Sequence, residues 1–168
     1  MNFYSALAAG AALLIATGAQ ADGHEEAAAP SGPTTYTMTG SVAGITLVGG
    51  TGRGDDLSYG ASWTEAVTVT SSTGTVTDIT ANCIGMDQPS NSLFDRHFTC
   101  TVSDGESQEG ALIFGCNKEN EAGNEMSCVG YLQGKEGEIA EHVALVTSYY
   151  RFMSDGTGTV QGTGHWIR

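Results

Sequence analysis

Apolar and polar residues alternate with a period of two through most of the chain beyond residue 34. The clearest stretch is Leu57–Thr70. One face there carries Leu57, Tyr59, Ala61, Trp63, Glu65, Val67 and Val69; the other carries Ser58, Gly60, Ser62, Thr64, Ala66, Thr68 and Thr70. Successive side chains of a strand point to opposite faces, so this pattern predicts one buried and one wet face. Glu65 interrupts the apolar face: either a bulge near it shifts the register, or an acid points inward. Further strands are predicted over Thr35–Val42, Gly44–Gly49, Thr75–Gly85, Arg96–Ser103, Ala111–Asn117, Met126–Gln133, a run within Ile139–Phe152, and Thr157–Ile167, between turns that contain Gly or Asp. The segment Glu136–Leu145 has a second reading as the start of a short helix, with Ile139, Val143 and Val146 on one face.

About eight short strands with little helix predict an all-β fold. The lead architecture is a small antiparallel meander β-barrel, and a β-sandwich is the alternative. Long helical crossovers are missing from the pattern, which argues against a parallel α/β sheet. The last strand sets Gly158, Val160, Gly162, Gly164 and Trp166 on one face. A row of glycines weakens a strand unless large neighbours cover it, and Tyr149, Tyr150 and Phe152 are the expected cover. Glycine kinks also help a sheet curl and close, which favours the barrel. This glycine- and aromatic-rich closing strand resembles that of small calycin-type barrels. The resemblance covers one strand; it implies a barrel fold and carries no site residues.

The N-terminus adds a targeting signal. Ala6 to Ala19 is apolar or small and uncharged, and it closes on Ala19-Gln20-Ala21, a small-x-small pattern. Residues 1–21 therefore read as a secretory signal peptide, although no Lys or Arg precedes the apolar run. That run is shorter than the roughly 20 apolar residues that cross a bilayer. Residues 22–34, acidic and then rich in Ala and Pro, are expected to form a flexible tail, leaving 35–168 as a single barrel domain. No second apolar run occurs, so no membrane span is expected after signal removal.

Four cysteines follow the signal: Cys83, Cys100, Cys116 and Cys128. An even count in an exported chain predicts two disulfides, for which three connectivities exist. A zinc site is the rival, but no Cys-x-x-Cys pair is present. The midpoints near Asn91 and at Ala122-Gly123 both fall in expected turns, which favours Cys83–Cys100 and Cys116–Cys128. Disulfides and a signal together predict a periplasmic or secreted protein, and the lack of an Asn-x-Ser/Thr sequon fits a bacterial, Gram-negative source. Acids outnumber bases 19 to 6, a balance that repels nucleic acid and anionic lipid surfaces.

Candidate chemistry is sparse. Cleavage after Ala21 would expose Asp22-Gly23-His24. A free amine, two amides and a third-place His can wrap Cu(II) or Ni(II) in a square plane, so Asp22 and His24 are the candidate metal residues. No other cofactor is expected. Glu65, if buried, would have a raised pKa and could act as general acid or base in an isomerase- or cyclase-like enzyme. Tyr59, Trp63, Tyr149, Tyr150 and Trp166 are the aromatic supply for a ligand pocket. His97 and His165 fall on expected wet faces, and His142 sits in the ambiguous segment. The glycine-rich stretch 49–56 lacks the Lys-Ser/Thr of a phosphate loop, though it contains Arg53-Gly54-Asp55. Asp55-Asp56, Asp104-Gly105-Glu106 and Asp155-Gly156 lack full calcium-loop spacing. There is no Gly-x-Ser-x-Gly elbow and no His-Glu-x-x-His. The leading expectation is an exported, non-catalytic binding module. It would hold a small apolar or aromatic molecule in the barrel mouth, or present its acidic surface to a protein partner.

Overall fold

A computed structural model describes residues 35–51 and 58–167. The alternating segments form eight strands: β1 (Thr35–Thr51), β2 (Ser58–Ser71), β3 (Val76–Asp87), β4 (Arg96–Ser103), β5 (Glu109–Lys118), β6 (Glu125–Glu136), β7 (Val143–Phe152) and β8 (Gly158–Trp166). Each pairs antiparallel with the next, and β8 pairs back onto β1, so the sheet closes into a barrel and the sandwich alternative does not occur.

Two element boundaries differ from those read in the sequence. The stretches Thr35–Val42 and Gly44–Gly49 are one strand. Between Ala43 and Thr46 the register to β2 shifts, and Gly44 takes a φ of 66°. That bulge bends β1 without ending it, because glycine alone enters the left-handed region freely. The helix reading of Glu136–Leu145 reduces to a single 3-10 turn, Gly137–Ile139, before β7 begins.

The period-two pattern has its expected effect. Inward positions of β2 to β7 supply Trp63, Val67, Phe98, Phe114, Met126, Val146 and Tyr150, all buried. Outward positions are mostly hydroxyl or amide side chains, among them Thr37, Thr39, Thr64, Thr80, Asn82, Thr99, Thr101, Thr159 and Thr163, all exposed. Both disulfides lie inside. Cys83–Cys100 joins β3 to β4 and Cys116–Cys128 joins β5 to β6, each between directly opposed residues. The four cysteines are at most 5% exposed.

Closure depends on matching small residues to large ones across the β1–β8 seam. Tyr36 lies opposite Gly164 and Met38 opposite Gly162. A Cβ at Gly164 would sit 2.0 Å from Tyr36 Cζ, and one at Gly162 2.6 Å from Met38 Cε. The cover over these glycines therefore comes from β1 rather than from Tyr149, Tyr150 and Phe152. Of those three only Phe152, opposite Gly158, comes close, and it does so through its Cα; the other β7 approaches are the carbonyl oxygens of Thr147 and Arg151 and the Cα of Ser148. The reason is register: Val146 and Ser148, not the tyrosines, are the β7 partners of Gly164 and Gly162.

Candidate functional site: the barrel mouth and the acid beneath it

Because the strands run alternately up and down, one end of the barrel gathers the ends of β1, β3, β5 and β7 and the starts of β2, β4, β6 and β8. A cavity of about 340 Å³ opens there. Its wall is apolar: Ile45 and Leu47 from β1, Ala61 and Trp63 from β2, Phe98 from β4, Met126 from β6 and Phe152 from β7, with Met86 and Met153 at the rim. That volume lies at the small end of the range for small-molecule sites.

Its floor is aromatic. Trp63 meets Phe98 edge-to-face at a centroid distance of 4.8 Å and Phe152 at 5.9 Å; Tyr150 stacks beneath Phe152 at 5.7 Å and 8°. Edge-to-face contacts set the positive ring edge against the negative face and hold such rings in fixed orientation. Gly85 makes the arrangement possible, since a Cβ there would lie 2.7 Å from Phe98 Cδ1 and 2.9 Å from Trp63 Cη2.

Polar side chains also line the mouth, among them Asn124, Ser154 and the ion pair of Asp87 with Arg96. Asp87 and Arg96 face each other across β3 and β4. Arg96 Nε donates to Asp87 Oδ1 at 2.6 Å, and the Tyr59 N–H donates to Oδ2 at 3.1 Å. Burial alone would push the Asp87 carboxyl up; the bonds from Arg96 and Tyr59 and the nearby positive charges outweigh it and hold the group below its ordinary value. Arg96 Nη1 donates to the Gly123 carbonyl at 3.1 Å and lies 3.3 Å from Met126 Sδ. Its Nη2 has no hydrogen-bond partner among the described residues.

Glu65 resolves as the inward acid. No register shift touches its pairing with Ala81, and it is 2% exposed. Trp63 Nε1 donates to its Oε1 at 2.7 Å, and the Tyr150 hydroxyl is bonded to the same carboxyl. Burial raises the Glu65 pKa, and the two hydrogen bonds offset this only in part. Burial likewise pushes the Tyr150 hydroxyl well above its usual value, helped by the charge of Glu65. Cys83 Sγ lies 3.4 Å from Glu65 Oε1. Glu65, Cys83 and Cys100 are spaced closely enough to hold a metal. The two sulfurs are bonded to each other, however, and a disulfide offers no thiolate. Glu65 is not among the residues that line the mouth, and Trp63, its hydrogen-bond donor, is. The acid has the burial that an unusual titration needs but no contact with that cavity.

The aromatic residues singled out in the sequence do not converge on one site. Tyr59 and Trp63 line the mouth, and Tyr150 lies one layer below it. Tyr149 points out of the barrel, where its hydroxyl bonds to Glu125. Trp166 is at the opposite end, against Tyr36 at 5.9 Å and His142 at 6.2 Å. His97 and His165 are exposed, and His142 Nδ1 lies 2.9 Å from the Ala140 carbonyl oxygen. The acidic turns at Asp104 and Asp155 are occupied by their own backbones: Asp104 Oδ1 accepts the N–H groups of Glu106, Ser107 and Gln108, and Asp155 Oδ1 accepts from Thr157, while Asp55-Asp56 lies outside the described residues. The signal peptide, the tail with Asp22 and His24, and Arg53-Gly54-Asp55 lie outside the described residues. Sequence reasoning passed over Phe98, Phe152, Met126, Asp87 and Arg96 as site residues. Their signal was their position at strand ends that the up-and-down order brings together.

No family model matches the chain, and neither a curated protein nor a solved structure is significantly similar to it.

Proposed function

We propose that this chain is an exported binding module that holds a small, largely apolar molecule in the mouth of its barrel. The observation that carries this reading is the cavity itself: an aromatic floor of Trp63, Phe98 and Phe152 beneath an aliphatic and thioether wall, with Asp87, Arg96, Asn124 and Ser154 as its polar residues. Such a site can bury the body of a ligand and orient it by a few polar contacts. Export is supported by two internal disulfides, which persist in oxidising compartments, and by the N-terminal pattern. The outer wall is rich in hydroxyl side chains, with Ile84, Ile113, Val129, Tyr131 and Leu145 exposed among them. No helix among the described residues is long and apolar enough to cross a membrane.

The test is a titration with N-phenyl-1-naphthylamine, a neutral dye that brightens in apolar surroundings. The protein should brighten it at a one-to-one ratio, and Ala61→Phe, which fills the mouth, should abolish the effect while leaving the melting transition intact. A protein that does not brighten the dye, or an equal signal from the filled variant, would overturn the assignment.

A further inference from the structure

Among the polar side chains of the mouth, those of Asp87, Arg96 and Asn124 are already hydrogen-bonded. Each Asp87 oxygen accepts one hydrogen bond, from Arg96 Nε and from the Tyr59 N–H. Arg96 Nη1 is taken by the Gly123 carbonyl. The charged donor left without a partner among the described residues is the Arg96 Nη2 amino group, on a residue that lines the cavity. Charge then selects among the acceptors that donor can meet. The Arg96 cation is already neutralised by Asp87, and the chain carries a net charge of −13. A carboxylate brought to Nη2 would face Asp87 and the wider acidic field, and juxtaposed like charges cost binding energy. A neutral carbonyl oxygen accepts the same hydrogen bond without that repulsion.

We infer that the mouth selects an uncharged apolar or aromatic molecule that bears a carbonyl acceptor, with its apolar body on the Trp63–Phe98–Phe152 floor and its oxygen at Arg96. This rests on the mouth being a ligand site. It adds the chemical class of the ligand and the residue that reads it.

Three probes with one common body separate the possibilities: 2-acetylnaphthalene (neutral ketone), 2-naphthoate (anion) and 2-ethylnaphthalene (hydrocarbon). Affinities can be measured by displacement of N-phenyl-1-naphthylamine, or by tryptophan quenching in a Trp166→Phe background that leaves Trp63 as the one indole. The ketone should bind about tenfold more tightly than the hydrocarbon, the worth of one hydrogen bond from a charged donor. It should also bind more tightly than the anion. Arg96→Met should abolish the preference for the ketone over the hydrocarbon, and a cooperative thermal melt shows that the variant is folded. Asp87→Asn removes the repelling charge and should strengthen the anion by about tenfold or more. Equal binding of ketone and hydrocarbon, or an anion that outbinds the ketone in the unmodified protein, overturns the inference while the mouth remains a ligand site. If none of the three probes binds, the ligand-site reading fails and the inference fails with it.

Discussion

Removing the Cys83–Cys100 bridge by Cys83→Ala with Cys100→Ala tests how the barrel is held together. The bridge spans a sequence separation of 17, and Cys116–Cys128 spans 12. Treating each as a loop closed in the unfolded chain, the lost constraint is worth about 3.1 and about 2.8 kcal/mol respectively. The loop terms are nearly equal, so any larger difference between the two double variants reports packing. Both sulfur pairs are buried and each would leave a gap, but Cys83 in addition lies against the Glu65 carboxyl, whose packing the first double variant would also disturb. The first double variant should therefore lose more than the second. In a domain of this size each kcal/mol moves the midpoint by about 4 °C, so a fall of about 12 °C or more is expected for the first. Thermal melts followed by circular dichroism, paired with urea titrations, measure both losses. A loss below about 1 kcal/mol in either variant would refute the loop reasoning. A second bridge costlier than the first would refute the packing argument.

Two more perturbations test the interior. Glu65 has a folded-state pKa above its ordinary 4.5, so the folded barrel binds this proton more tightly than the unfolded chain does. The contribution to stability is therefore greatest below pH 4.5 and declines as pH rises through the folded-state value. Glu65→Gln should remove that decline, and urea midpoints measured across pH for both proteins should converge at low pH; parallel curves would contradict the burial argument. Gly164→Val should destabilise the barrel by roughly 1–3 kcal/mol or more, because its side chain enters the space of the Tyr36 ring. Adding Tyr36→Ala should restore part of the loss, and a double-mutant cycle with no coupling would remove the seam argument.

How far the sequence predicted this molecule depended on the range of the interaction. The alternation in β2 is local, and so the inward face of Trp63, Glu65 and Val67 was readable. The disulfide pairing was readable because each pair brackets one turn. The partner that accompanies Trp63 at the buried acid was not, since Tyr150 reaches Glu65 from β7 across the barrel interior. The bulge at Gly44 looked like a strand break because a lone glycine marks either. One error was avoidable on local grounds. Tyr149 and Tyr150 are consecutive in a strand, so they cannot both face inward. The mouth itself is assembled from six strands, and only closure defines which of their residues meet.

The seam between β1 and β8 also determines how the protein can be held. Thr35 lies opposite His165, so the first and last described strands start and finish side by side at the end remote from the cavity. A resin, a fusion partner or a sensor surface joined ahead of Thr35 would grip the barrel by its base and leave the mouth facing outward. A short peptide linking the two ends, with new termini cut in the 3-10 turn near Gly137 at that same base, would give a circular permutant whose mouth is untouched. For capture assays, the N-terminal side is the place to attach the tag.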